Sequence, residues 1–234
     1  MKIGIIGAGH IGGTLARRLR KLDHDVAIAN SRGPETLASF AKETGAIAVA
    51  ARDAARDKDL VVVTIPEKAV PRLPKGIFGS ADGPIIVDTG NYYPQRDGRI
   101  DAIEDGMPES EWVSEQLGRP VIKAFNNIYA QHLMENGRPA GQQGRIALPV
   151  SGDDARSKEV VMRLIDSLGF DAVDAGPLSE SWRQQPGTPV YGTDLNADGV
   201  RRGLAAARHE RPPEFRASAS RSTQTSQASD ASAP

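Results

Sequence analysis

Lys2-Ile3-Gly4-Ile5-Ile6-Gly7-Ala8-Gly9-His10-Ile11-Gly12 joins an apolar, strand-forming run to a turn of the form G-x-G-x-x-G. Each glycine has a physical task if that turn binds a dinucleotide. Gly7 permits a tight exit from the strand, Gly9 lets backbone approach a pyrophosphate, and Gly12 lets the next helix pack closely on the sheet. The pyrophosphate would rest on the free N–H groups at the helix start, where the dipole favours an anion. Gly7, Gly9, His10, Ile11 and Gly12 are therefore expected to touch the cofactor. A glycine turn alone also occurs as a plain strand-to-helix connection, so the context decides. Here a helix from about His10 to Leu22, with Ile11, Leu15, Leu19 and Leu22 on one stripe, leads to a second strand, Asp25 to Ala29. NAD enzymes usually end that strand in an acid for the ribose 2′-hydroxyl. Asn30-Ser31-Arg32 supplies no acid, but a hydroxyl and a guanidinium suited to a 2′-phosphate, which favours NADP(H). The alternative is that Arg32 is a solvated loop cation.

Further along, more strand ends open on the same edge. Ala46 to Val49 forms a short third strand, and Asp59 to Ile65 is an apolar run suited to a strand buried on both faces. It ends in Thr64-Ile65-Pro66; Pro84 to Asp88 ends in Thr89-Gly90-Asn91; Val121 to Phe125 runs into Asn126-Asn127-Ile128-Tyr129-Ala130. Ligands of open α/β sheets bind outside the carboxyl ends of strands, so Thr64, Ile65, Pro66, Asn91, Asn126, Ile128 and Ala130 are expected to line the cofactor cleft. The paired amides of Asn126 and Asn127 suit a flat ring such as nicotinamide, or simply a turn. Two further strands, Gly144 to Val150 and Phe170 to Ala175, flank a helix capped by Asp153 or Asp154 and carrying Val161, Leu164, Ile165 and Leu168. The fold expected is a Rossmann-type, doubly wound, mainly parallel α/β sheet: a single domain over 1–210 with extra C-terminal strands. Ser181 to Pro189 reads as a loop over the sheet edge and Asn196 to Arg208 as a short helix. From Arg211 on, residues 211–234 read as a disordered polar tail.

Composition narrows the function. The 234 residues carry a net charge of −1, which argues against nucleic-acid binding, and there is no cysteine for a disulfide, thiolate or Cys-based metal site. The longest strongly apolar run, Leu60 to Ile65, is too short to span a bilayer, and the chain opens on a core strand, so a cytoplasmic protein is expected. Acids between Asp97 and Glu111 show no calcium-loop spacing and read as a solvated face; no metal site is expected. Arg17, Arg18, Arg20 and Lys21 complement the C-terminal end of their helix dipole.

Gly7 to Gly12, Ser31-Arg32, Thr64-Ile65-Pro66, Lys123-Ala124-Phe125-Asn126, Ser151-Gly152-Asp153 and Asp174-Ala175-Gly176-Pro177-Leu178 together resemble the coenzyme F420-dependent NADP reductase family. They are also similar to the cytosolic NADPH domain of six-transmembrane ferric reductases. The resemblance covers Met1 to about Leu178; it departs at Asn126 and Tyr129, where the deazaflavin reductases tend to have His and Pro. It implies NADPH at the glycine loop, the 2′-phosphate at Ser31-Arg32, and hydride exchange with a flat deazaflavin (coenzyme F420) or flavin near Asn126 to Ala130.

Such hydride exchange needs little from side chains, so no catalytic residue is assigned. Two other functions stay open. A reductase of a small carbonyl or imine would need a proton donor, with Lys123 or Tyr129 as candidates. A non-catalytic NADP(H)-binding regulatory protein would need none. The partner expected is a small-molecule or cofactor acceptor, with no nucleic acid or membrane, and a homodimer could complete the acceptor site.

Overall fold

The computed structural model describes residues 1–80 and 82–218. Its elements in chain order are β1 (Lys2–Ile6), α1 (His10–Lys21), β2 (Asp25–Ala29), α2 (Ala38–Thr44), β3 (Ile47–Ala48), α3 (Ala51–Ala55), β4 (Leu60–Val63) and β5 (Ile85–Asp88). Then come α4 (Pro94–Asp97), α5 (Asp101–Glu104), α6 (Glu109–Leu117), β6 (Ile122–Lys123), α7 (Ala130–Glu135), β7 (Ala147–Val150), α8 (Ala155–Ser167), β8 (Asp171–Asp174) and α9 (Ala197–Ala206). The first six strands form one all-parallel sheet in the order β3-β2-β1-β4-β5-β6. The order reverses between β1 and β4, and the chain's Rossmann-type expectation is met there.

Local chemistry accounts for these elements. β4 is Leu-Val-Val-Val, buried throughout, because helices cover both faces of a parallel sheet. α1 lays Gly12, Leu15, Ala16 and Leu19 on the sheet. Gly45 and Gly118, both in the left-handed region, end α2 and α6, and Asp154 caps α8 by accepting from the Ser157 N–H at 2.8 Å. One core face joins Ile3, Ile5, Leu15 and Leu19 to Val161 and Ile165 of α8 and to Leu168 just after it; the other joins Val61 and Val63 to Trp112 and Val113 of α6.

Four expectations are corrected. The extra strands exist but form a separate parallel pair, β7-β8, tied to the main sheet through a Lys123–Ser151 antiparallel bridge. Leu178–Gln184 winds into a 3-10 turn where a loop was expected, because the Gln184 side chain is buried and hydrogen-bonded. The acidic segment is a solvated face only in part: Asp101 and Asp105 are exposed, but Asp97 is nearly buried against its neighbour Arg96 and Glu109 is fully buried, with Arg211 reaching it from far along the chain. The polar tail does not begin at Arg211. Residues 211–218 pack on the domain, with Arg211 paired to Glu109, Phe215 against Tyr93 and the Ala217 N–H on Glu104; the rest of the expected tail lies outside the described residues. Arg18 also does more than complement a dipole: its guanidinium donates to the carbonyls of Leu133 and Leu168, fastening α1 to α7 and the end of α8.

Candidate dinucleotide site

The glycine loop leaves β1 at the switch point, and its three glycines differ sharply in surroundings. Gly7 has φ +118°, and a Cβ there would lie 2.2 Å from the Thr64 carbonyl oxygen. A Cβ on Gly12 would lie 2.0 Å from the Gly7 carbonyl oxygen and 2.6 Å from Thr64 Cγ2. Those two glycines hold helix, loop and strand together. Gly9 has open space where its Cβ would be, at the N-cap of the twelve-residue α1. No side chain caps α1 and no acid occupies its first turn, so its leading N–H groups are available to an anion. His10 is exposed and Ile11 half-buried beside them. These features fit the pyrophosphate of a dinucleotide.

At the end of β2, Asn30 braces the turn: its Nδ2 donates to Thr36 Oγ1 at 2.9 Å and its Oδ1 accepts the Arg32 N–H at 2.9 Å. Ser31 and Arg32 are exposed, and the Arg32 guanidinium has no protein partner among the described residues. Thr64, Ile65 and Pro66, all half-buried, follow β4 on the same edge.

The Asn91 and Asn126 ends do meet, but through each other. Asn91 Nδ2 donates to the Asn126 carbonyl at 2.9 Å, and Asn126 Nδ2 donates to Asn91 Oδ1 at 3.0 Å. Asn126 further donates to the Gln184 carbonyl at 2.7 Å and accepts from Gln184 Nε2 at 3.0 Å. Asn126 and Asn127 are buried, so these amides brace the cleft floor against the 178–190 segment, where the sequence suggested donors for a bound ring. Phe125, just before them, is buried with φ +62°, a left-handed conformation costly for a large side chain. Ile128 is buried, Ala130 half-buried, and Tyr129 is 58% exposed with its ring edge on His132, whose Nδ1 lies 2.9 Å from Asp194.

Beneath this edge lies a buried charge cluster that sequence reasoning missed. Lys123 is fully buried; its Nζ donates to the Gly90 carbonyl at 2.5 Å and lies 3.2 Å from Asp88. Asp88 also accepts from Ser110 Oγ at 2.7 Å and the Gly90 N–H at 2.8 Å. Glu67, fully buried one position after Pro66, pairs with Arg96 at 2.9 Å; Glu109 pairs with Arg211 at 2.8 Å. Burial raises the Glu109 carboxyl despite Lys123 and Arg211. Burial pushes the Lys123 ammonium down, but Asp88, Glu109 and Glu67 outweigh it and hold its pKa above the ordinary value. Burial likewise pushes Tyr92 up to about 12. The only advance signal was Lys123 inside an apolar strand, where a charge must find a partner.

No helix among the described residues is long and apolar enough to cross a membrane, and no group of three or more metal-ligating side chains occurs among them.

The family model of coenzyme F420-dependent NADP oxidoreductases matches residues 2–92, from β1 through the Asn91 turn. Over 90 residues the chain is 38% identical to the protein YjhV of Escherichia coli (strain K12), a stretch covering 38% of this chain and 58% of that protein. The chain thus spans little more than half the length of this curated relative. A crystal structure of the hypothetical protein SMa0349 from Sinorhizobium meliloti is 33% identical, with a TM-score of 0.71 over 84% of this chain and 95% of that one. A protein from Arthrobacter sp. FB24, provisionally described as an F420-dependent NADP-reductase, is 28% identical, with a TM-score of 0.66 over 77% and 87%. With its glycine loop, strand order and matched segment, the chain belongs to the family of coenzyme F420-dependent NADP oxidoreductases.

Proposed function

We propose that the chain binds NADP(H) across the β1/β4 switch point and passes hydride between the nicotinamide and a flat deazaflavin or flavin beside the 126–130 turn. The observation that carries the reading is the exposed Arg32, without a protein partner among the described residues, next to Ser31 at the end of β2, where Asn30 stands in place of an acid and the first turn of α1 holds none. Bound NADPH supplies the hydride, so the protein's work is alignment and exclusion of water. The α1 N–H groups hold the pyrophosphate, Ser31 and Arg32 the 2′-phosphate, and Thr64 to Pro66 with the Asn91–Asn126 pair form the wall at the reactive end. The deazaflavin is supported by the family and by the Arthrobacter relative.

A charge-assisted contact to phosphate contributes about 1.5–3 kcal/mol, so Arg32→Ala should weaken NADPH roughly tenfold or more and leave NADH nearly unchanged. Equal weakening of both would remove Arg32 as the phosphate clamp. The acceptor is tested by following NADPH absorbance with coenzyme F420 or FMN; no turnover with either sinks that half of the reading. One observation favours a second reaction. Tyr129 is exposed against a His132–Asp194 pair and could donate a proton, whereas Lys123 is buried and committed. Loss of turnover in Tyr129→Phe with NADPH affinity intact would point to a carbonyl or imine substrate.

A further inference from the structure

Directly behind Pro66, Gly90-Asn91 and Asn126, the buried cluster is unbalanced. Glu67, Asp88, Asp97 and Glu109 supply four carboxyls, against three cations, Lys123, Arg96 and Arg211. An uncompensated buried charge is costly enough that the group takes up a proton instead. Glu67 is the least compensated of the four. Its Oε1 has no hydrogen-bond partner among the described residues and faces Gly90, where a Cβ would lie 2.3 Å from it. Its Oε2 has only Arg96 Nη2, and that nitrogen also serves Asp97 at 2.8 Å and the Asn91 carbonyl at 2.5 Å. Asp88 and Asp97 fare better: Asp88 has Lys123, Ser110 and the Gly90 N–H, and Asp97 has Arg96 and the Tyr93 N–H. Glu109 also leaves one oxygen, Oε2, without a hydrogen-bond partner among the described residues, but the Arg211 guanidinium on its other oxygen is shared with none of the other three carboxyls.

Every charged neighbour enters the balance. Arg96 and Asp97 approach from α4, Asp88 from β5, Lys123 from β6 and Glu109 from α6, with Arg211 behind Glu109 and Lys68 exposed on the same turn as Glu67. Burial, then Glu109 and Asp88, hold the Glu67 carboxyl well above the usual carboxylate range, against Lys123 and Arg96.

We propose that Glu67 holds the cluster's surplus proton and releases it to solvent when the cationic ring of NADP+ docks at the adjacent edge, so that this carboxyl discriminates oxidised from reduced cofactor. The inference rests on the nicotinamide lying at that edge. Binding of NADP+ to the neutral acid gives the carboxylate, the bound cation and one free proton; the neutral ring of NADPH leaves the acid protonated. Glu67 touches no reacting atom in this scheme and acts through the field it sets.

The test titrates the full chain with NADP+ and with NADPH between about pH 6 and about pH 9. The 2′-phosphate ionises in both cofactors, so its contribution cancels in the comparison. The affinity for NADP+ relative to NADPH should rise by up to about tenfold per pH unit, and Glu67→Gln should abolish that rise. Calorimetry of the unmutated protein in two buffers of different ionisation enthalpy gives a check that needs no variant: NADP+ releases up to one proton more than NADPH. Parallel pH profiles, a difference that survives in Glu67→Gln, or equal proton release with both cofactors overturns the proposal. If neither cofactor binds, the reading of the cleft falls and the proton coupling with it.

Discussion

Gly9 and Gly12 stand three positions apart in one loop and answer to different constraints. At Gly12 an added methyl meets backbone at 2.0 Å, which cannot yield. Gly12→Ala should therefore destabilise the protein by at least the 1–3 kcal/mol typical of overpacking, about 2–12 °C in Tm. At Gly9 the methyl enters open space. Gly9→Ala should keep stability within about 1 kcal/mol, the scale of an N-cap change, yet lose NADPH affinity tenfold or more. Thermal melts paired with titrations separate the two, and wild-type NADPH binding by Gly9→Ala would remove the pyrophosphate from this loop. The glycine spacing made all three positions readable in the sequence. Asn126 and Lys123 were readable as unusual but not in role, because their partners Gln184 and Asp88 lie 58 and 35 positions away.

Among elements, the segment after α9 is where composition misled. Its Pro, Arg and Ser content carries no apolar period, yet Arg211 reaches Glu109 across 102 positions, stacks over Tyr92 at 5.3 Å and closes the cluster. Removing one partner of a buried ion pair costs about 3–5 kcal/mol because the other charge is stranded. Arg211→Ala should lower urea stability by roughly that amount, and adding Glu109→Gln should restore much of it. A loss of less than about 0.5 kcal/mol would mean the segment only rests on the surface. The same logic explains why the acids of 97–111 read as solvated. Their number is visible in sequence, while the cation that lets Glu109 be buried, Arg211, comes from the segment beyond α9. By contrast β1, α1 and β2 were legible almost to the residue, since strand, glycine turn and amphipathic helix are all local patterns.

For the whole molecule, the cluster ties folding stability to pH in an unusual direction. Glu67 has a folded pKa raised above its usual 4.5, first by burial. A raised carboxyl contributes stability that is fully present below its unfolded value and lost as pH rises through the folded one, because the unfolded chain sheds the proton more readily. Glu109, raised by burial, acts in the same sense, while Lys123 stays charged until pH passes its own raised value. Glu43 and Asp154 are lowered, by hydrogen bonds from Arg17 and Ser157, and act oppositely, but both are exposed and work only in the acid range. Stability should therefore decline from mildly acidic to alkaline pH, by at most about 1.4 kcal/mol per unit for each titrating group. Glutamine reproduces the neutral acid in shape and cannot lose a proton, so Glu67→Gln should flatten this decline and gain most over wild type at alkaline pH. Urea unfolding of the cofactor-free chain at about pH 6 and about pH 9 reads the slope directly. A Glu67→Gln protein weakened equally at both values would mean that Glu67 is ionised in the folded protein and that the surplus proton sits elsewhere in the cluster.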